Sequence, residues 1–468
     1  MALLSVVGAL VGVPGRSTTN ARLSGDEPQY LLSATSLFDD GDLDISDQIA
    51  SGSYRTYHEV PLSPQSRPQA DGRQVSPHDP LLPLLLALPM GVGGWVGAKL
   101  AMVAAAVATA VVTVWVAVRR FDQPPRVAVI VVGAGFASLP LAPYGSQVYP
   151  EMWAALALIL ALACLPTASA PRRRPGPDNW HGTAPGPWPA RGVLAAAVAL
   201  PWLSIKYAPI SVVLGLAVLV AVDPDRREQI RLAVLGALAA IAFLVIHRWV
   251  YGGWTAYAAG DHFVETGEFS VVGTRVDLVG RSRRVGGLLF DAGFGLVPWA
   301  PLWGLLPMAV GAAIRRRRNE QGPTYLALIS VTNGWVVATF VALTMHGWWV
   351  PGRQLVVVLP VALLLIGSWV GRSGRRLWLA AGLGALGVVN WSWLAIEAMT
   401  GQRTLIVDFV ETGAPGYRAI EWMFPDGIRA WPRDGWLLLG WSLAGLVAIV
   451  VGFRSDRSGP QFGSSRTR

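Results

Sequence analysis

Long apolar runs alternate with short polar segments along nearly the whole chain. A run of about eighteen apolar residues, wound as a helix, crosses a hydrocarbon layer roughly 30 Å thick. The pattern predicts a short apolar piece from residue 81, a glycine-rich break at Gly91–Gly94, and a full span ending at Arg119-Arg120. Further spans are expected near 127–142, 151–166, 232–250, 295–312, 323–345, 355–370, 377–397 and 435–453. Residues 192–222 read as two short helices broken around Pro201 and Ser204-Ile205-Lys206-Tyr207-Ala208-Pro209. Residues 2–15 are apolar but too short to span comfortably at about 1.5 Å per residue. They read as a first transmembrane helix with a clipped or misassigned start, or as a signal peptide. The lack of a basic segment before them favours the helix. The architecture expected is an all-α polytopic membrane protein of about twelve transmembrane helices, with polar loops at 16–80, 251–290 and 398–434 and no internal repeat.

Composition agrees: 53% of the 468 residues are hydrophobic and only 14% charged, too few charges to cover a soluble protein of this length. The net charge of +9 raises a nucleic-acid reading, which the placement of the charges argues against. If the N-terminus is cytoplasmic, alternating crossings put Arg119/Arg120, Arg172–Arg174, Arg226/Arg227, Arg315–Arg318, Arg375/Arg376 and the tail from Arg454 all inside. The three long loops then all lie outside, and one missed helix would reverse every later cluster. The expectation is a multi-pass protein of the cytoplasmic membrane with both termini cytoplasmic, surrounded by lipid and binding no nucleic acid. Lysine occurs only at Lys99 and Lys206, and with abundant Ala, Gly and Pro this points to a GC-rich bacterial genome. The single Cys164 excludes an intrachain disulfide and a multi-cysteine metal site.

Candidate chemistry starts at Ser24-Gly25-Asp26-Glu27-Pro28-Gln29-Tyr30, which opens the 16–80 loop. This loop carries ten carboxylates against five arginines. Locally, Asp26 reads as a helix N-cap with Gln29 as its box partner and Pro28 in the first turn. The helix that follows, through Leu37-Phe38 to Asp39, reads as amphipathic and lying on the membrane surface. Capping explains one carboxylate; it does not explain an acidic pair just outside the first span.

That pair in the first outer loop resembles the lipid-dependent glycosyltransferases of the GT-C superfamily, in particular glycosyltransferase family 39, the protein O-mannosyltransferase and aminoarabinose transferase type. His78-Asp79-Pro80-Leu81-Leu82-Pro83, Tyr149-Pro150-Glu151, Leu289-Phe290-Asp291-Ala292-Gly293-Phe294-Gly295-Leu296 and Gly347-Trp348-Trp349-Val350-Pro351-Gly352-Arg353 resemble pieces of the same group. The chain departs from it in its abbreviated first span and in Asp79, where a proline is expected. The resemblance implies one GT-C-like transmembrane domain over 1–453, with 454–468 as a cytoplasmic tail. It implies transfer of a sugar, with inversion, from a polyprenyl-phosphate donor to an acceptor that is a protein, a glycan or a lipid.

One carboxylate must then take the acceptor's proton, and Asp26 is the candidate, with Glu27 and Glu151 as further acids at the site. The departing phosphate needs fixed positive charge. Arg353 and Lys206 are candidates for substrate binding, with Tyr149 and His78 beside them. Each has a plainer reading: Arg353 as an interfacial side chain, Lys206 as half of a structural pair, Glu151 as a helix-start acid. His78, His262, His346 and the outer acids leave room for a divalent metal, but no spacing joins them, so no metal ligand and no certain cofactor is assigned. Val127 to Ser138 loosely imitates a dinucleotide fingerprint, yet lies within a membrane-length apolar run. Two other functions stay open: a carrier or flippase for a lipid-linked sugar, and a glycan ligase or polymerase leaning on Arg281, Arg283 and Arg284.

Overall fold

A computed structural model describes residues 2–63, 65–164, 188–221, 226–260, 277–316, 323–342, 344–427 and 432–455. The Arg172–Arg174 loop, His262 and most of the C-terminal tail lie outside the described residues. The principal helices are α1 (Ala2–Leu10), α2 (Glu27–Asp39), α3 (Leu81–Arg120), α4 (Pro125–Phe136), α5 (Glu151–Cys164), α6 (Trp188–Leu203) and α7 (Ala208–Ala221). Then come α8 (Arg226–Tyr251), α9 (Leu306–Arg316), α10 (Pro323–Val336), α11 (Leu359–Val370), α12 (Gly374–Met399) and α13 (Arg433–Ser455). Isolated bridges but no strand occur among the described residues. The protein is an all-α polytopic membrane protein. Among the described residues α3, α8, α10 with its following π-turn, α12 and α13 are long and apolar enough to cross a membrane, and α4 to α7 and α11 are shorter apolar helices.

The centre is built on α3, against which α1, α2, α4 and α5 pack, while α11 runs through the interior with nearly every side chain buried. The glycine-rich break falls where expected: Gly94 has the non-helical angles φ 59° and ψ −158°, so α3 is two helical pieces joined at a kink. The expected break between α6 and α7 falls at Ser204, where the backbone is extended before the turn Ile205–Tyr207. Val127 to Phe136 is helical within α4, with no strand for a dinucleotide fold. Helices α9 and α13 cross so closely that a methyl group at Gly311 or Gly452 would meet the partner helix's backbone, a small-residue crossing suited to lipid. Arg120 donates to the carbonyl of Ala163, joining the ends of α3 and α5 that the charge pattern assigns to one side.

The 16–80 loop folds as a cap over the opposite end. Two expectations for it are corrected. Helix α2 is not a half-exposed surface helix: Glu27 through Ala34 are all buried, and the helix packs along α3. Asp26 occupies the N-cap position but makes no side-chain cap bond. Its helical backbone angles turn the carboxylate away from the α2 amides, toward a charged partner elsewhere.

Candidate active site

Gly25 has φ 65°, a left-handed conformation that L side chains rarely adopt, and it turns the chain so that Asp26 faces inward. A Cβ at this glycine would also lie 2.9 Å from the Tyr149 hydroxyl. The partner of Asp26 comes from the other half of the chain: Arg353 Nη2 donates to its Oδ2 at 2.8 Å. Arg353 stands in the turn before α11, directly after Gly352, itself left-handed at φ 78°. Its Nε donates to Glu151 Oε1 at 3.0 Å, and Lys206 Nζ donates to the same oxygen at 2.7 Å. The Tyr149 ring lies 4.0 Å beneath the guanidinium carbon and the Trp349 ring 5.2 Å away. His78 Nε2 approaches Asp26 Oδ1 to 3.9 Å, and its Nδ1 shares a hydrogen with Ser76 Oγ at 2.9 Å.

Asp26, Tyr149, Glu151, Lys206 and Arg353, with His78 at the edge, thus meet at one end of the bundle. The two carboxylates and two cations cancel in charge, as they must where water is scarce. Exposure is unequal within the group: the Glu151 side chain is 1% exposed and the Asp26 side chain 32%. Burial alone would raise the Asp26 carboxyl, but Arg353, with His78 and Lys206, holds it below the ordinary aspartate value. Burial lowers the proton affinity of His78 despite the pull of Asp26. Glu151 Oε2 and the Tyr207 hydroxyl are buried with no hydrogen-bond partner among the described residues. Polar atoms left this way beside a charged cluster are where a substrate hydroxyl gains most.

Glu27 stands apart from this cluster. Its carboxylate accepts the backbone N–H of Val148 at 2.8 Å and of Ser24 at 3.3 Å, with the Ser17 hydroxyl at 3.4 Å. It ties the Gly25-Asp26 turn to the Tyr149-Pro150-Glu151 segment, which is a positioning geometry. Burial raises its carboxyl against the pull of Lys99 and these donors. Sequence reasoning missed Tyr207 and also His247, whose ring on α8 touches Asp79 at 2.9 Å. The available signal was a lone imidazole in a membrane-length apolar helix.

A separate polar cluster lies farther along the chain. Asp291 accepts from the backbone of Gly293, Phe294 and Gly427 and faces His346 Nε2 at 3.4 Å, walling a cavity of ≈ 250 Å³. Arg281 and Arg284 both donate to the Ala342 carbonyl at 2.7 Å, satisfying the end of the broken α10 rod. Among the described residues no group of three or more His, Cys, Asp and Glu side chains is placed to hold a metal ion.

No protein-family profile matches the chain, and no curated protein matches it by sequence. Among solved structures, it is similar to the crystal structure of ArnT from Cupriavidus metallidurans bound to undecaprenyl phosphate. The TM-score is 0.51 and the identity 16%, over 97% of this chain and 78% of that one. The apo state of the same protein matches at TM-score 0.49 and 18% identity, over 97% and 74%. The likeness to the first shows the fold: the chain has the GT-C architecture.

Proposed function

We propose that the protein is a lipid-dependent glycosyltransferase, moving a sugar from a polyprenyl-phosphate donor to an acceptor hydroxyl on the outer side of the cytoplasmic membrane, with inversion. What supports this reading above all is the meeting of Asp26, Glu151, Lys206 and Arg353, from four distant parts of the chain, at one end of a lipid-embedded bundle. The ArnT likeness supports a donor of this class, since that protein binds undecaprenyl phosphate.

In this reading Asp26 Oδ1, which carries no hydrogen bond to Arg353, takes the acceptor's proton as the acceptor oxygen attacks the anomeric carbon. The bond from that carbon to the phosphate oxygen breaks, and the electron pair leaves with the lipid phosphate. One negative charge therefore vanishes at Asp26 while one appears on phosphate. Arg353 is bound to Asp26 at rest and can follow the charge, with Lys206 behind it. Glu151 holds both cations in place, and Glu27 and Tyr149 support the segment that carries it.

Asp26→Asn keeps the shape and removes the base. Transfer from radiolabelled lipid-linked sugars, in purified protein reconstituted into nanodiscs, is expected to fall by about 10²-fold or more. Wild-type rates in that variant, or no transfer by the wild type from any polyprenyl-phosphate sugar, would overturn the reading.

A further inference from the structure

His247 and Asp79 are fully buried side by side, and their contacts fix how many protons they hold. His247 Nδ1 lies 2.8 Å from the Phe243 carbonyl, which can only accept, so Nδ1 carries a hydrogen. Nε2 lies 2.9 Å from Asp79 Oδ1. A bare Nε2 and an ionised carboxylate oxygen would be two acceptors in contact, so one more proton sits between them. Whichever atom bears it, the pair is neutral with the proton and anionic without it.

The other oxygen of Asp79 accepts the N–H of Ile205 at 3.0 Å, the residue immediately before Lys206. On the same helix as His247, the Tyr251 hydroxyl donates to the carbonyl of His78 at 2.8 Å. Helix α8 thus reaches both the His78-Asp79 segment and, through Asp79, the turn that presents Lys206 to Glu151. The Phe243 ring stacks on His247 at 3.7 Å and Trp202 stands at 5.2 Å, which keeps water from the pair. The titratable groups facing it are His78, Tyr251 and Tyr257.

We infer that Asp79 and His247 form a one-proton strut that positions Lys206 for its contact with Glu151. The hydrogen held between the two is what ties α8, through Asp79, to the Ile205–Tyr207 turn. The pair touches no substrate; both are positioning residues. The inference rests on the proposed role of Lys206 in meeting the lipid phosphate.

Asparagine at position 79 separates the shared proton from the shape. Its amide oxygen can accept Ile205 N–H while its NH2 donates to the bare Nε2 of a neutral His247, so the strut closes without the carboxyl. In nanodiscs, amide exchange across residues 200–210 should be slow in the wild type. In Asp79→Asn it should stay as slow. Asp79→Ala should exchange fast and lose transfer about tenfold or more, with transfer retained by Asp79→Asn. If Asp79→Asn behaves like Asp79→Ala, or if Asp79→Ala keeps the wild-type protection and transfer, the inference is overturned. If exchange follows the expected pattern but no lipid-linked sugar is transferred, the strut stands and the proposed function fails.

Discussion

Removing Arg353 tests how the cluster sets the proton affinity of Asp26. The guanidinium, 2.8 Å from Oδ2, outweighs a burial that by itself would raise the carboxyl. In Arg353→Met, only His78 and the more distant Lys206 would still oppose that burial. An opposite charge at this range lowers a carboxyl's proton affinity, so its loss raises that of Asp26. Asp26 acts ionised, so activity is present above its pKa and is lost as pH falls through it. The wild type should keep its rate well into acid, whereas the variant's acid limb should move to higher pH. The lost contact to phosphate lowers the plateau at every pH and leaves the position of the limb alone, so each variant is normalised to its own plateau. The assay is transfer in nanodiscs between about pH 3.5 and 8 with donor well below its KM, so that the profile of kcat/KM reports Asp26 in the free enzyme, still paired with Arg353. Arg353→Lys is the control: an ammonium keeps the charge near Asp26 but cannot bridge two carboxylates as a fork does. It should keep the wild-type limb while losing plateau rate. An acid limb in Arg353→Met that matches the wild type would refute the argument.

Gly25→Ala should cost about 1–2 kcal/mol from the left-handed backbone alone, and more once the Tyr149 hydroxyl is displaced. Thermal unfolding in detergent measures this, and a rise in the donor KM would report the shift of Tyr149 beneath Arg353. Glu27→Gln leaves one amide oxygen to serve Val148 and turns an NH2 against both the Ser24 N–H and the Ser17 hydroxyl, which bond the other carboxylate oxygen. It should destabilise by about 1–3 kcal/mol, the cost of an unsatisfied buried donor. The acid limb of its pH–rate profile should not move, which is the result that separates a positioning role from a catalytic one.

Much of this site was legible because charge in an apolar chain is informative by its scarcity. With only two lysines in the chain, Lys206 at a proline-flanked break was conspicuous. The alternation of arginine clusters put Asp26, Glu151, Lys206 and Arg353 on one side before any contact was known. Pairing was not legible. Asp26 and Arg353 are 327 positions apart, and nothing in the spacing says that a residue placed to cap its own helix is claimed by a turn just before α11. Local rules also misassigned α2, whose pattern resembles a surface helix while the folded loop buries it on nearly every side. The arginines at 281 and 284 suggested phosphate recognition by composition alone. Their use as donors to the Ala342 carbonyl, just past the π-turn that follows α10, depends on where that rod stops, which hydropathy does not locate to within a turn.

The neutrality of the four-residue cluster bears directly on how it can work. A buried group at the membrane surface with a net charge would be costly, so each cation stands against a carboxylate. Neutrality also means that the resting cluster offers no surplus positive charge to a lipid phosphate. Its attraction for the donor must come from rearrangement, and the group able to rearrange is the one with two separable contacts. Arg353 holds Glu151 through Nε and Asp26 through Nη2. Releasing Asp26 frees one arm for phosphate and, in the same motion, removes what depresses the Asp26 carboxyl. Donor engagement would thus make Asp26 a stronger base just when an acceptor hydroxyl needs one. The anchor for that motion is Glu151, whose Oε1 is shared with Lys206 and which is almost wholly buried. If the anchor were instead Asp26, the more exposed acid, the motion would leave Glu151 buried beside Lys206 alone and would not change the proton affinity of the base at all.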